Sequence, residues 1–302
     1  MKAMILAAGP GKRLRPLTEK KPKALIPVAN SPIIARNIDY LKMFGVENIA
    51  VNAHYHYQQI LDYLDGGKPF GIEIDVKVEP EILGTGGGIR NCLNFMDHGP
   101  FLVINSDILT NIDLTLAYDY HKESGSIATL VVHCHEPFNQ IAIDKKCQVV
   151  DIGPKNGPNR LAFTGIHIME PEILEYIPEH GYSDIIDCYR RLIHSRESIN
   201  TLISENHYWH DIGTLESYIS ANKEILSMSN RPFLIGSDSH IPPPVRFEDW
   251  AVIGERAYLE DSVKIVRSIL WDDVTVKSNK RIVDSIVTSC KIVDTDLINK
   301  IY

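Results

Sequence analysis

The chain has 302 residues, enough for one large domain or two smaller ones, and an ordinary soluble composition of 44% hydrophobic and 23% charged residues. Its formal net charge of -8 argues against a nucleic-acid binder, which needs a broad basic face. Five scattered cysteines with no CxxC pair argue against a disulfide framework and a zinc ribbon, and no apolar run approaches the ~20 residues that span a bilayer.

KAMILAA (2–8) is short, apolar and ended by glycine, the pattern of a buried parallel strand. It begins almost at Met1, which leaves no room for a signal peptide and points to the cytoplasm. Residues 7–25 then carry six Lys or Arg against one Glu, a local concentration that the acidic chain shows nowhere else so early. Segments 32–45 and 57–67 have helical apolar spacing, and 48–53 and 72–78 read as strands. ILGTGGGIRNCLNFM (82–96) is a glycine turn entering a helix, and FLVINSD (101–107) is a buried strand that ends on an acid.

Strands alternating with helices over about 110 residues predict βαβ units and a mixed, mostly parallel sheet of Rossmann-like type. Ligands of such sheets bind at the carboxyl ends of the strands. The basic loop, the GTGGG turn and Asp107 all fall at such ends. Further strands are expected at 126–133 and 162–168, and helices at 171–177, 184–195 and 214–227.

Residues 1–229 are thus expected to form one catalytic domain, with proline-rich 230–247 as a linker. Beyond it, Ile253, Leu259 and Ile265 recur every six residues. That spacing is the signature of a parallel β-helix over 248–302, whose coils bury each other's faces. A β-hairpin tail is the plainer alternative. A hexapeptide acyltransferase is disfavoured, because no histidine follows residue 240.

Three readings of the basic loop compete. A solvated charge run is the bland one. A dinucleotide-binding loop fails, since GxGxxG begun at Gly9 needs glycine or alanine at Leu14, and no acid closes the second strand at NAH (52–54). A triphosphate cradle fits better: Gly9 and Gly11 allow close backbone approach, while Arg13 and Lys23 add charge-assisted contacts on a loop stiffened by prolines.

LAAGPGKRLRPLTEKKPKALIPV (6–28) resembles the signature of the sugar-1-phosphate nucleotidylyltransferases, or NDP-sugar pyrophosphorylases. The resemblance runs on through LGTGGG (83–88), VINSD (103–107), FTGIHIM (163–169) and WHDIGT (209–214), and so covers about 1–225. It implies transfer of a nucleotidyl group from an NTP to a sugar 1-phosphate, by in-line attack and without a covalent enzyme intermediate. Arg13, Lys23 and Asp107 would be the catalytic residues. The nucleotide would lie against Ala7, Ala8, Gly9, Gly11 and Arg13, with Gly84, Thr85, Gly86 and Gly87 at the nucleoside. Asn105, Glu81, Thr164, Gly165 and Lys155 would meet the sugar phosphate, and Asp107 with Asp211 would hold Mg²⁺.

Two departures stand out: Ser106 replaces the usual glycine before the metal acid, and the GTGGG turn is closer to uridylyltransferases acting on N-acetylmuramate 1-phosphate than to guanylyltransferases. The tail recurs in GDP-mannose pyrophosphorylases and implies a homo-oligomer. The sequence therefore leans to GTP with mannose 1-phosphate, UTP close behind. A regulatory subunit that binds nucleotide sugars without turnover is disfavoured, since Arg13, Lys23, Asp107 and Asp211 are all present. His133 and His135 share one strand face but have no third ligand in the sequence, so packing is the expected role.

Overall fold

A computed structural model describes residues 1–95, 99–153 and 159–302. The chain forms two compact units, one of Met1–Gly11, Lys20–Ala24 and Ile33–Asp211, the other of Lys12–Glu19, Leu25–Pro32 and Ile212–Tyr302.

The first unit is a mixed α/β layer structure around a nine-stranded sheet. Lys2–Leu6 lies at its centre, flanked in parallel by Asn48–Ala53 and Phe101–Asn105, and Glu73–Val78 extends the parallel edge. The first three are short apolar runs covered on both faces, with Ala3, Met4, Ile5, Val51, Val103 and Ile104 fully buried, whereas Glu73–Val78 alternates and buries only Ile74. The other half departs from a simple βαβ repeat. Arg160–Met169 runs antiparallel to Phe101–Asn105, Ala128–His133 and Asn139–Ile143, and Ile199–Ile203 then pairs in parallel with Ala128–His133. A bulge between Phe163 and His167 interrupts the long strand where Gly165 sits at φ +81°.

Helices form where the apolar stripe and the caps coincide. Ile33–Met43 buries Ile34, Ile38 and Leu41, the three spaced positions of the sequence pattern. Ile185–His194 is capped by the Asp184 carboxylate on Ile186 N–H at 2.9 Å and buries Ile185, Cys188, Tyr189 and Leu192 against the sheet. The segment expected as a helix at 171–177 is a 3₁₀ turn over Pro171–Tyr176. A helix over Leu114–Ser124 has no counterpart in the sequence reading; only Leu114, Ala117 and His121 are buried on it, so its apolar stripe is too thin to read.

The second unit corrects the expected boundaries. Leu215–Met228, read as the last helix of the catalytic domain, belongs to this unit, as does Lys12–Glu19 of the basic loop. The supposed linker is not one: Phe233–Ile235 is a strand, paired in parallel with Ala251–Ile253. Asn222 accepts from Ala29 N–H at 2.8 Å and the Tyr218 hydroxyl donates to the Pro27 carbonyl at 2.9 Å, so residues 25–32 are clasped to that helix.

From residue 246 the strands stack in parallel sheets. Arg256 pairs with Asp273, Arg267 with Asp284 and Lys277 with Glu260, each 17 positions apart. The buried series Ile253, Leu259, Ile265, Leu270, Val276, Ile282, Val287, Val293 advances by six, six and then five residues, which makes the same repeat. The slip to five explains why the six-residue rhythm fades after Ile265 in the sequence.

Candidate active site

The first unit gathers its polar groups at the carboxyl edge of the parallel strands. Register aligns Leu6 with Asn52 and with Asn105, and Ala53 with Val78. Ala7, Glu79 and Asp107 therefore leave the sheet side by side.

Ala7 and Ala8 are buried, and Ala7 N–H donates to the Asn52 side-chain oxygen at 2.8 Å. Asn52 in turn donates to Glu79 Oε1 at 2.7 Å, while Glu79 Oε2 accepts from Leu83 N–H at 3.0 Å. Glu79 is 1% exposed, so a buried carboxylate ties the first strand end to the start of the Gly84–Asn91 helix. A side chain on Gly88 would come within 2.5 Å of Asn52 Nδ2 and 2.9 Å of Glu79 Oε1. Sequence reasoning missed Asn52 and Glu79 and chose Glu81, which the structure leaves exposed with no part in this network. The signal was present: an acid at the end of a strand, five residues before the glycine turn.

The glycine run has a steric cause beside the one expected. Substituents on Gly84, Gly86 and Gly87 would meet Ser183 O at 2.5 Å, Ser183 Oγ at 2.9 Å and Leu83 Cβ at 2.9 Å. Gly86 and Gly87 N–H both donate to Ser183 O, and Ser183 N–H donates to Leu83 O. Thr85 Oγ1 donates to Asp184 and accepts from Ile185 N–H. These four residues form a close seam with 181–185, a second demand for glycine beside the expected nucleoside contact.

Gly9 sits in open space, and Gly11 adopts φ +60°. Arg13 is exposed on the one-turn helix Lys12–Leu14 of the second unit, anchored by buried Leu14 and Leu17. Lys23 starts the one-turn helix Lys23–Leu25, and its ammonium forms an ion pair with Asp107 Oδ2; the two side chains are 12% and 24% exposed. Ser106 does not have a positive φ, donates its N–H to Leu6 O at 3.0 Å and accepts from Asn37 at 2.9 Å. Serine thus fits where the resemblance expects glycine.

Asp107 and Asp211 are 104 positions apart in sequence, yet a short antiparallel ladder joins their neighbourhoods. Trp209–Asp211 pairs with Ile108–Thr110 so that Asp211 faces Ile108, one position from Asp107. Partners across such a ladder have Cα atoms about 5 Å apart. Among the described residues no group of three or more acids, histidines or cysteines converges to hold a metal. Mg²⁺ asks for less, since it uses one or two carboxylates and fills its shell with water and phosphate.

Thr164 is fully buried and its hydroxyl donates to Val131 O at 2.8 Å, so the side chain closes the bulge. Its carbonyl accepts from the Trp209 indole at 2.8 Å. A substituent on Gly165 would come within 2.9 Å of Asn105 Nδ2 and 3.0 Å of Ile108 Cγ1. Lys155 lies outside the described residues.

Behind Trp209 stands a stack that the sequence showed only in part. His133 and His135 are parallel at 5.2 Å, Trp209 meets both edge-on, and His207 joins as a third histidine, its Nε2 3.1 Å from His133 Nδ1. Burial, then His207 and His135, push the His133 pKa down to about 4, so His133 is neutral packing beside the strand that carries Asp211.

The family model for nucleotidyl transferases matches residues 2–228. The chain belongs to the nucleotidyl transferase family. It is 34% identical over 224 residues to an N-acetylmuramate alpha-1-phosphate uridylyltransferase of Neisseria meningitidis, covering 71% of this chain and 94% of that one. It is 27% identical over 314 residues to mannose-1-phosphate guanylyltransferase 1 of Arabidopsis thaliana, covering 95% and 86%. The fold matches a putative glucose-1-phosphate thymidylyltransferase of Bacillus anthracis with a TM-score of 0.67 at 24% identity, over 74% of this chain and 94% of that one. This family member is a nucleotidyltransferase.

Proposed function

We propose that the protein transfers a nucleotidyl group from an NTP to a sugar 1-phosphate and releases pyrophosphate. The observation that carries this reading is the meeting of Lys23, Asp107 and the Asp211 strand at the carboxyl edge. In-line phosphoryl chemistry needs little beyond positioning and neutralisation of charge. Lys23 and Arg13 supply cations for the phosphates. Gly9 and Gly11 bring backbone within reach, and Asn105 and Gly165 border the sugar-phosphate end.

Asp107 and Asp211 fit Mg²⁺: they are hard oxygen donors brought one ladder position apart. When bound, the metal neutralises the phosphate oxygens and offsets the repulsion between two anionic substrates. The carboxylates would fix where that charge sits, and Lys23, beside Asp107, would hold the phosphates.

GTP with mannose 1-phosphate is the proposed pair, because likeness to a guanylyltransferase extends over 95% of the chain and so reaches the tail. UTP with N-acetylmuramate 1-phosphate is the second reading, favoured by the higher identity of 34%. The tail is proposed as a left-handed parallel β-helix of hexapeptide type that serves self-assembly, in a cytoplasmic enzyme. Among the described residues no helix is long and apolar enough to cross a membrane.

The experiment is a panel of four NTPs against mannose, glucose, heptose and N-acetylmuramate 1-phosphates with Mg²⁺, read by pyrophosphate release. GTP with mannose 1-phosphate is expected to give the highest kcat/KM. Release with no pair, from protein that binds nucleotide sugars, would establish the regulatory-subunit reading instead.

A further inference from the structure

We infer that Lys23 and Asp107 lock each other when no nucleotide is bound: the lysine takes the place of the divalent cation on the carboxylate, and the triphosphate is the key that removes it. The inference rests on the metal reading of Asp107 given above and concerns how that metal is admitted.

Three observations carry it. The Lys23 ammonium sits directly on Asp107 Oδ2. Both side chains are largely out of water, at 12% and 24% exposed, so solvent and salt screen the pair less than the ion pairs of the C-terminal stack. And among the described residues no third acid, histidine or cysteine helps to hold a cation. A free divalent cation approaching Asp107 therefore meets a carboxylate already neutralised, with a positive charge against it and few ligands in reward.

A triphosphate changes this balance. An ammonium has three donors and no acceptor, and phosphate oxygens can take all three. The exchange asks only for torsions of a flexible four-carbon stem, because the backbone of Lys23 is held in a one-turn helix next to buried Ala24. Asp107 stays fixed in the two-residue turn between the strands Phe101–Asn105 and Ile108–Thr110. Once the ammonium turns to the phosphates, the carboxylate is uncovered and the same phosphates complete the cation's shell. Metal and triphosphate thus strengthen each other's binding, and by reciprocity the coupling is equal in both directions. The pairing also keeps a cation from settling in the site without a nucleotide.

The test uses Mn²⁺ alone, which suits the same carboxylate and water oxygens as Mg²⁺. Free Mn²⁺ is followed by electron paramagnetic resonance as it is titrated into the full chain without nucleotide. Wild type, Lys23→Met, Lys23→Gln and Asp107→Asn are compared, each checked for a native near-UV spectrum; two Lys23 variants guard against one that does not fold. Both Lys23 variants are expected to bind Mn²⁺ about five- to tenfold more tightly than wild type, the low end of ordinary coupling between sites, although their turnover falls. Asp107→Asn should lose the binding. Lys23 variants that bind Mn²⁺ no better than wild type, with Asp107→Asn still defective, would overturn the lock alone. Mn²⁺ binding that survives in Asp107→Asn would overturn the metal reading beneath it.

Discussion

The carboxyl edge of the first unit and the C-terminal stack both use acids and cations, but in opposite ways. In the stack, Arg256 with Asp273, Arg267 with Asp284 and Lys277 with Glu260 repeat at 17 positions; the two arginine pairs are well exposed, and in the third Lys277 is exposed while Glu260 is half-buried. They follow the strand register, and each pair has the partner that the repeat supplies. At the edge, Lys23 and Asp107 come from distant segments, are mostly buried and repeat nowhere among the described residues. A charge pair set by a repeat serves the stack, whereas the pair at the edge is assembled against the cost of desolvation, which suits the proposed chemistry.

The comparison breaks most visibly through turnover. Asp107→Asn or Asp211→Asn is expected to lower kcat by about 10³ or more with little change in melting temperature. Arg13→Ala and Lys23→Ala should each cost ~10²–10³ in rate, the usual loss for one preorganised charge stabiliser. Steady-state pyrophosphate release beside thermal melting separates the two effects. Near-wild-type rates for both cations at saturating NTP would leave the loop a solvated charge run.

In the stack, stability should change instead. Ile265 is fully buried within its apolar column, so Ile265→Ala should cost about 2–5 kcal/mol on denaturant unfolding while kcat per folded molecule stays put. A fall in kcat without loss of stability would contradict the separation of roles.

Acid should act unequally as well. Burial lowers the pKa of His121 and His133 to about 4 and that of His167 to about 3, from an ordinary 6.5. A depressed histidine is neutral when folded and takes up a proton on unfolding, so stability falls as pH drops from about 6.5 toward 4. All three lie in the first unit. In the stack, hydrogen bonds from Arg256, Arg267 and Lys277 lower Asp273, Asp284 and Glu260 respectively, so those pairs persist until the pH falls below the ordinary carboxylate range. Hydrogen exchange at pH 7, 6 and 5 should therefore show protection lost first from the central sheet. Equal loss in both units would refute the assignment. The smallest effect is reserved for Arg256→Ala, whose exposed pair should leave the melting midpoint almost unmoved in 0.5 M salt.

What could be read from the sequence follows from how local each feature is. Buried strands such as Lys2–Leu6 and the Ile34, Ile38, Leu41 stripe declare themselves within a few residues, and so did the parallel half of the sheet. Local pattern could not reveal that Arg160–Met169 runs antiparallel among three strands, because pairing direction depends on long-range register. The site followed the same division. Lys23 and Asp107 were legible by motif, and their direct ion pair was not. Thr164 looked like a sugar contact, but the bulge beside Gly165 turned its hydroxyl inward. Glu79 was passed over for Glu81, since which of two nearby acids is buried depends on a partner, Asn52, on another strand.

The claim on which the functional reading depends is that Asp107 and Asp211 act as one unit, brought together by the short ladder between Trp209–Asp211 and Ile108–Thr110. The direct measurement is a double-mutant cycle of Mg²⁺-dependent pyrophosphate release for wild type, Asp107→Asn, Asp211→Asn and the double variant. Residues that share one function lose little more together than singly. The double variant is expected within a fewfold of the slower single one. Losses that multiply, or an Asp211→Asn variant that keeps full Mg²⁺-dependent turnover, would contradict a shared site.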